Sequence, residues 1–556
     1  MTDASWWRGA VIYQIYPRSF LDTNGDGVGD LPGIIDRLDY VAGLGVDAIW
    51  IAPFFRSPMA DFGYDIADYR EVDPLFGTLE DFDRLLDKAH ALGLKVMIDQ
   101  VLSHTSREHA WFRESRQSRN NPKSDWYVWA DPRPDGTPPN NWLSIFGGPA
   151  WQWEPRRQQY YLHNFLAEQP DLNFHHPEVR EAVLGNVRFW LERGVDGLRL
   201  DAINFCFHDP ALRDNPAKPA GERIGRGFSP DNPYAHQYHF YNNTRPENLA
   251  FLEQLRALLD RYPGVTALGE ISSEDSLATI AEYTRGRRLH MGYSFELLTD
   301  DFSAAWIRDT VQSLDAKMQE GWPCWAISNH DVERVLSRWG GGRPAAPLAR
   351  LLTAMLCSLR GAVCVYQGEE LGLTEAEVPF EALRDPFGIA FWPQFKGRDG
   401  CRTPMPWNAA AHGGFTSGTP WLPVPDEHLA LAVSCQEADP ASTLHGFRTF
   451  LRWRRAHPAL RTGTIRFLHT PDPVLAFTRR SDDEVLLVAF NLSDQPAELT
   501  LPPGAHCEVL RGHGLREGSL EGSQLRLPGY GALFARLATI DEPPPALAAT
   551  ALGAAS

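Results

Sequence analysis

The sequence predicts an α/β fold: a closed (β/α)8 TIM barrel with an inserted small domain after its third strand and a C-terminal antiparallel β-sandwich. Three observations lead there. Apolar strand runs and helix-periodic segments alternate along most of the 556 residues, which calls for parallel strands joined by crossover helices. The stretch 106–174 breaks that alternation, being rich in Trp, Pro, Asn and Arg without a sustained period, as an insertion is. Beyond 461 the pattern turns to short alternating runs cut by Asp, Pro and Gly, the mark of antiparallel β structure. The expected organisation is a barrel over 1–105 and 175–460, an inserted domain over 106–174, a β domain over 461–540 and a disordered tail over 541–556.

The first strand is the apolar run Val11-Ile12-Tyr13-Gln14-Ile15-Tyr16, closed by Pro17, which lacks the N–H a strand needs. Helical spacing follows over 34–44, then a strand at 48–51, a helix at 79–92 and a third strand at 94–99. Alternation resumes after the insertion with a helix at 177–193, a strand ending at Asp201, a helix at 248–262 and a strand at 265–270. A strand near 290–295, a helix near 304–320, a strand at 324–328, a helix at 348–359 and a strand at 362–366 complete the series. Eight such strands favour a closed barrel, with a doubly wound open sheet as the alternative.

Composition excludes several classes of function. A formal net charge of −18 disfavours nucleic acid and anionic membranes, both of which select basic surfaces. Seven cysteines, an odd number without close paired spacing, argue against a disulfide framework and a zinc site. The segment 1–9 lacks a basic run followed by an apolar one, and no apolar stretch is long enough to span a membrane. A cytoplasmic protein, monomeric or a homodimer, is therefore expected. Its many Trp, Tyr and Phe rings suit a core and also the stacking of sugars.

Directly after the first strand, Asp22-Thr23-Asn24-Gly25-Asp26-Gly27-Val28-Gly29-Asp30 sets oxygen-bearing side chains at alternate positions, and Gly27 permits a sharp turn. Asp22, Asn24, Asp26, Val28 and Asp30 match the first half of a calcium loop, with Asp30 in place of the usual distal Glu. One bound Ca²⁺ or Mg²⁺ is expected, structural because the loop is remote from any candidate nucleophile. A polar turn without metal is the alternative.

The stretch 194–202 (Gly-Val-Asp-Gly-Leu-Arg-Leu-Asp-Ala) reads as a short buried strand with Arg199 and Asp201 on one face. An Arg beside a carboxylate lowers its pKa, which suits a nucleophile. Alone the pair reads first as a structural ion pair. Its company decides otherwise. Asp99 and His104 follow the third strand, Glu270 the fifth, and Asn329-His330-Asp331 the seventh. Closure of a barrel converges Asp201, Glu270 and Asp331 on one opening, and such carboxylates suit glycoside hydrolysis.

These motifs carry a family resemblance. Asp99-Gln100-Val101-Leu102-Ser103-His104, Gly197-Leu198-Arg199-Leu200-Asp201, Glu270 and Asn329-His330-Asp331 resemble the four sequence regions of the α-amylase family of glycoside hydrolases. Gln169-Pro170-Asp171-Leu172-Asn173 and the run from Arg398 to Trp407 resemble further motifs of its α-glucosidase and oligo-1,6-glucosidase branch. The resemblance implies a retaining mechanism with Asp201 as nucleophile, Glu270 as general acid and base, and Asp331 as the group gripping substrate hydroxyls. It implies that Arg199 keeps Asp201 anionic and that His104 and His330 bond hydroxyls of the same glucose. Asp61, Tyr64 and Arg402 resemble residues that bind the non-reducing glucose, and a facing Asp61–Arg402 pair would make the enzyme exo-acting. Phe146 and Phe165 are expected to line the pocket.

Within that branch Ala202, the residue after the nucleophile, implies α-1,4 rather than α-1,6 cleavage, hence maltose-like disaccharides. The long loop between Asp201 and Asn248 carries Tyr238-His239-Phe240-Tyr241. Those rings are expected to cap the aglycone side, to restrict the substrate to short sugars and to offer stacking faces to an alcohol, phenol or sugar acceptor, with a surface loop of no such role as the alternative. The expected activity is thus a retaining α-glucosidase with glucosyl transfer. A sucrose- or trehalose-isomerising glucosyltransferase and a catalytically silent sugar-binding subunit are the alternatives.

Overall fold

The computed structural model describes residues 5–223, 231–318, 320–341, 346–501 and 507–537; the tail expected to be disordered, 541–556, lies outside them. Eight strands form the barrel: β1 Val11–Ile15, β2 Ala48–Ile51, β3 Lys95–Val101, β4 Gly197–Asp201, β5 Thr266–Glu270, β6 Met291–Ser294, β7 Trp322–Trp325 and β8 Ala362–Tyr366. Each pairs in parallel with its neighbours in sequence, and β1 pairs with both β2 and β8, which closes the sheet and excludes the open alternative. Most barrel strands are buried on both faces, as the apolar runs require.

The helices form where capping and apolar spacing agree. Helix α1, Leu31–Leu44, starts at Asp30, whose carboxylate accepts from Gly33 N, and stops at Gly45 with φ 90°. Helix α2, Leu79–Ala91, carries a reciprocal cap between Thr78 and Asp81. Helices α3 Pro177–Glu192, α4 Asn248–Leu259, α5 Ser276–Tyr283, α6 Ala304–Lys317, α7 Ala346–Ser358 and α8 Thr443–Arg455 follow. Several details differ from the sequence expectation, three of them instructive. Helix α5 lies where no helix is expected, because it is short and mixes Thr279, Ile280 and Tyr283; the Asp275 cap and burial stabilise it. Helix α6 ends at Lys317 rather than 320. Strand β7 begins at Trp322, not 324; Pro323 within it lacks a ladder N–H, so pattern alone displaces the strand downstream.

Between β3 and α3 the chain forms a small antiparallel sheet of Trp129–Ala130, Trp151–Glu154 and Gln159–Leu162. After α8 two antiparallel sheets enclose a Leu- and Ala-rich core. Strands Val474–Arg480, Val485–Asn491 and Gly531–Leu537 turn Phe477, Phe490 and Phe534 the other way, into the core shared with α8, where Phe450 and Trp453 meet Phe534. Arg479, fully buried, donates to the carbonyls of Ser358 at the end of α7 and of Gly463. Asp472 accepts from Ala304 N at the start of α6. The C-terminal sheets therefore grip two barrel helices. All seven cysteines are free thiols, and among the described residues no helix is long and apolar enough to cross a membrane.

Candidate active site

The barrel delivers its charged residues at the C-terminal ends of the strands, because the inward-facing residue that ends each strand has no apolar layer above it. Asp99 and Arg199 stand opposite each other on β3 and β4, Asp201 ends β4 and Glu270 ends β5. Arg199, 1% exposed, is the hub. Its Nη1 donates to both oxygens of Asp99 at 3.0 Å and to Asp201 Oδ1 at 2.7 Å, while Nη2 donates to Glu270. The guanidinium also lies 4.7 Å over the Trp50 ring. Glu270 Oε2 receives the backbone N–H of Ala202 at 2.9 Å, and Ala202 sits at φ 41°, a left-handed conformation unusual for Ala.

One cation shared by three buried carboxylates cannot hold all of them low. Burial pushes Glu270 up to about 8, with Arg199 opposing and the Asp201 and Asp331 charges adding to the rise. Burial likewise pushes Asp201 up to about 7, against the pull of Arg199. This corrects the expectation that Arg199 lowers Asp201 below its ordinary range. Both are raised by burial and lean on one guanidinium, so they titrate as a coupled pair. Asp331 behaves differently. Burial raises it, but His330, Arg398 and Arg402 overcome that and hold it well below the usual carboxylate range. The three carboxyls thus offer a permanent anion and a raised, coupled pair that can hold one proton between them near neutrality.

These groups open into a cavity of about 150 Å³ also walled by Asp61, Tyr64, His104, Phe146, Phe165 and Arg398. Phe165 packs on His104 at 5.1 Å and Phe146 on Phe387 at 5.1 Å. Arg398 donates to Asp61 at 2.7 Å, Asp385 at 2.8 Å and Asp331 at 3.2 Å. Arg402 donates to Asp331 at 2.8 Å and to the His330 carbonyl at 2.6 Å.

A family model described as the alpha amylase catalytic domain matches residues 14–463, and a maltogenic amylase C-terminal domain matches 465–533. The chain belongs to the α-amylase family of glycoside hydrolases. It is 57% identical over 540 residues to a probable alpha-glucosidase of Rhizobium meliloti, covering 96% of this chain and 98% of the relative. It is 39% identical over 542 residues to an oligo-1,6-glucosidase of Heyndrickxia coagulans, covering 89% and 94%. A crystal structure of an alpha-glucosyl transfer enzyme, XgtA, superposes with a TM-score of 0.95 at 70% identity, covering 96% of this chain and 99% of that one.

In this glycoside hydrolase the expected site residues fall into two groups. Asp201, Glu270, Asp331, Asp61, Tyr64, His104, Phe146 and Phe165 line the cavity. Arg199, His330 and Arg402 lie behind it, each 1% exposed. Both ring nitrogens of His330 are engaged, by Gln14 and Tyr64, so its expected bond to a sugar hydroxyl competes with existing partners. The expected Asp61–Arg402 pair is not formed; Asp61 pairs with Arg398. Arg398 is the main residue missed, although it opens a motif read from the sequence, because two arginines four apart compete for the same carboxylates and only tertiary contacts assign them. Of the aglycone loop's rings, Tyr234 lines the cavity, stacked 3.6 Å on His239, whereas Tyr238 and Phe240 stack on each other and Phe240 is exposed.

The loop 22–30 is closed by hydrogen bonds. Asp22 accepts from the backbone of Asn24, Gly25 and Gly27 and from Thr416, and Asp30 from Gly33 and Thr23. Asn24 and Asp26 each accept from the backbone two residues on. Among the described residues no three His, Cys, Asp or Glu side chains gather in a way that could hold a metal ion.

Proposed function

We propose that this enzyme is a retaining, exo-acting α-glucosidase that cleaves short α-1,4-glucosides of the maltose type and passes the glucosyl unit to water, an alcohol, a phenol or another sugar. The observation that carries the reading is the single Arg199 fork joining Asp201 to Glu270, two buried carboxyls that divide one cation. Two carboxyls leaning on neighbouring nitrogens of one planar guanidinium suit a retaining pair, which has no slot for an inverting water. Asp201 attacks the anomeric carbon as Glu270 hands its proton to the glycosidic oxygen, releasing the aglycone as an alcohol. Glu270, now a carboxylate, takes a proton from water or an acceptor hydroxyl as that oxygen attacks the anomeric carbon and frees Asp201. Asp331, anionic throughout, grips the secondary hydroxyls. The Arg398–Asp61 pair and Ala202, all on the cavity wall, support exo action and the α-1,4 preference respectively.

Anomer-resolved NMR with maltose tests this, run with and without a simple alcohol and beside Asp201→Asn. α-Glucose appearing first, an α-glucoside of the alcohol and a dead variant are expected. β-Glucose first overturns retention; consumption of only an α-1,6 sugar overturns the linkage; isomerised sucrose or trehalose favours the isomerising alternative; bound but unconverted maltose favours a silent binding protein.

We also propose that loop 22–30 holds one hard divalent cation, Ca²⁺ or Mg²⁺, through Asp22, Asn24, Asp26, the Val28 carbonyl and Asp30. The donors are all oxygen, and an ionised carboxylate oxygen engaged by an N–H keeps a lone pair for an ion. Added Ca²⁺ or Mg²⁺ raises the melting temperature of chelator-treated protein if this holds; no shift overturns it. Free thiols and an acidic charge balance support a cytoplasmic location without membrane or nucleic-acid partners, and light scattering distinguishes monomer from homodimer.

A further inference from the structure

We propose that Gln14, at the C-terminal end of β1, is a positioning residue for the Asp201–Glu270 pair: its side-chain amide fixes which nitrogen of His330 carries the proton, and a hydrogen-bonded chain through Tyr64 and Asp99 carries that choice to Arg199. The inference rests on the roles given to the pair above.

Gln14 is fully buried and does not line the cavity. Its Nε2 lies 2.7 Å from His330 Nδ1. An amide nitrogen only donates, so Nδ1 presents its lone pair and the neutral ring is protonated at Nε2. The ring is neutral because burial, above all, brings it down to about 3 despite Asp331 beside it. Nε2 faces Tyr64 Oη at 2.6 Å and Asp331 Oδ2 at 3.4 Å. A proton there is donated to Tyr64 Oη and lies favourably beside the Asp331 carboxylate, whereas a lone pair there opposes that carboxylate. The reversed amide, with Gln14 Oε1 toward Nδ1, would impose that unfavourable tautomer, which explains why Oε1 is the atom left buried without a partner.

Tyr64, accepting from His330, is left to donate its own proton, and Asp99 Oδ2 is in reach at 3.2 Å. Asp99 also takes Trp50 Nε1 at 3.1 Å and shares Arg199 Nη1 with Asp201. Donors from Tyr64 and Trp50 therefore set how far Asp99 draws Nη1 away from Asp201. If the proton sits on Nδ1 instead, Nε2 accepts from Tyr64, Asp99 loses that donor, and Asp201 is left more basic. The other groups facing the ring are the charges of Arg402, Arg199 and Arg398 and the rings of Tyr16 and Trp50, none of which the variants below alter.

The test combines ¹⁵N-histidine NMR with pH profiles. In the wild type the signal lost in His330→Gln is expected to report a bare Nδ1 and a protonated Nε2. Gln14→Glu, an acceptor in the same place, is expected to move the proton to Nδ1, to lower kcat about tenfold or more and to raise the acidic limb of kcat/KM by about half a pH unit or more. Gln14→Leu is expected to give mixed tautomers and a smaller shift in the same direction. A wild-type ring protonated at Nδ1, or folded variants whose profiles superimpose on the wild type, overturns the proposal. A shift confined to Gln14→Glu assigns the effect to added charge and also overturns it. Asp201→Asn run alongside separates this failure from failure of the site reading, which would leave that variant active.

Discussion

At the scale of single residues, the three carboxyls differ because their cations are unequally shared. Asp331 has two arginines directly on it, whereas Asp201 and Glu270 divide one guanidinium with Asp99. Activity should therefore follow a bell. On the acid side the coupled pair takes up a second proton and the nucleophile is lost; on the alkaline side it gives up the proton that Glu270 must donate. Glu270→Gln is expected to lose about 10²–10⁴ in kcat on maltose, because Gln cannot protonate the leaving oxygen. The same variant should keep glycosylation by α-glucosyl fluoride, whose leaving group needs no proton, and with that substrate the alkaline limb should vanish. Loss of both substrates to the same extent would remove Glu270 from the acid role. Ala202→Gly probes the backbone beside it. Glycine adopts φ 41° at no cost and keeps the N–H on Glu270, so turnover should be retained and the melting temperature unchanged or higher.

At the scale of elements, Asp30 is placed both at the cap of α1 and in the proposed cation loop, and substitution can separate the two. Asp30→Ala removes the cap and should cost about 1 kcal/mol of stability, while Asp30→Asn, itself a good cap, should cost less. If the cation reading holds, both variants should lose the stabilisation by Ca²⁺ or Mg²⁺; a calorimetric response equal to that of the wild type in Asp30→Asn would restrict the residue to capping. The same duality shows what the sequence made legible. Strand runs and strand-end carboxylates are local signals, so Asp201 and Glu270 were readable together with the alternation of strands and helices, whereas Asp30 reads as a cation ligand and its cap of α1 is not foreseen. Helix α5 was not, since burial rather than propensity makes it helical. Nor were the Arg398–Asp61 pair and the Gln14–His330–Tyr64 chain, whose members are brought together only by barrel closure across more than 260 residues of chain.

At the scale of the molecule, a barrel that buries this many acids should respond to pH as a whole. Glu270 and Glu369 are each pushed up to about 8 by burial, and Asp171, whose Oδ1 has no partner, is raised well above its ordinary value for the same reason. In the unfolded chain these groups ionise near 4. Between those limits the folded state holds protons that the unfolded state has released, so stability is full on the acid side and falls as pH rises toward 8. Asp331 and Asp385 act in the opposite sense. Their folded pKa values are depressed by arginines, so their contribution is present above about 4 and is lost only as pH falls below that. The melting temperature should therefore be highest near pH 4–5 and lower at pH 8, as scanning calorimetry from pH 4 to 8 would show. Glu369 isolates the cause, because it lies away from the cavity and accepts Tyr366 N at 2.7 Å. Glu369→Gln stands in for the protonated acid and should raise the melting temperature at pH 8 and raise it by much less at pH 5.5. A melting temperature that climbs steadily from 5.5 to 8, or a Glu369→Gln variant no more stable than the wild type at pH 8, would mean that these buried carboxyls are ionised in the folded protein. In that case their charges must be balanced by the buried arginines rather than by retained protons.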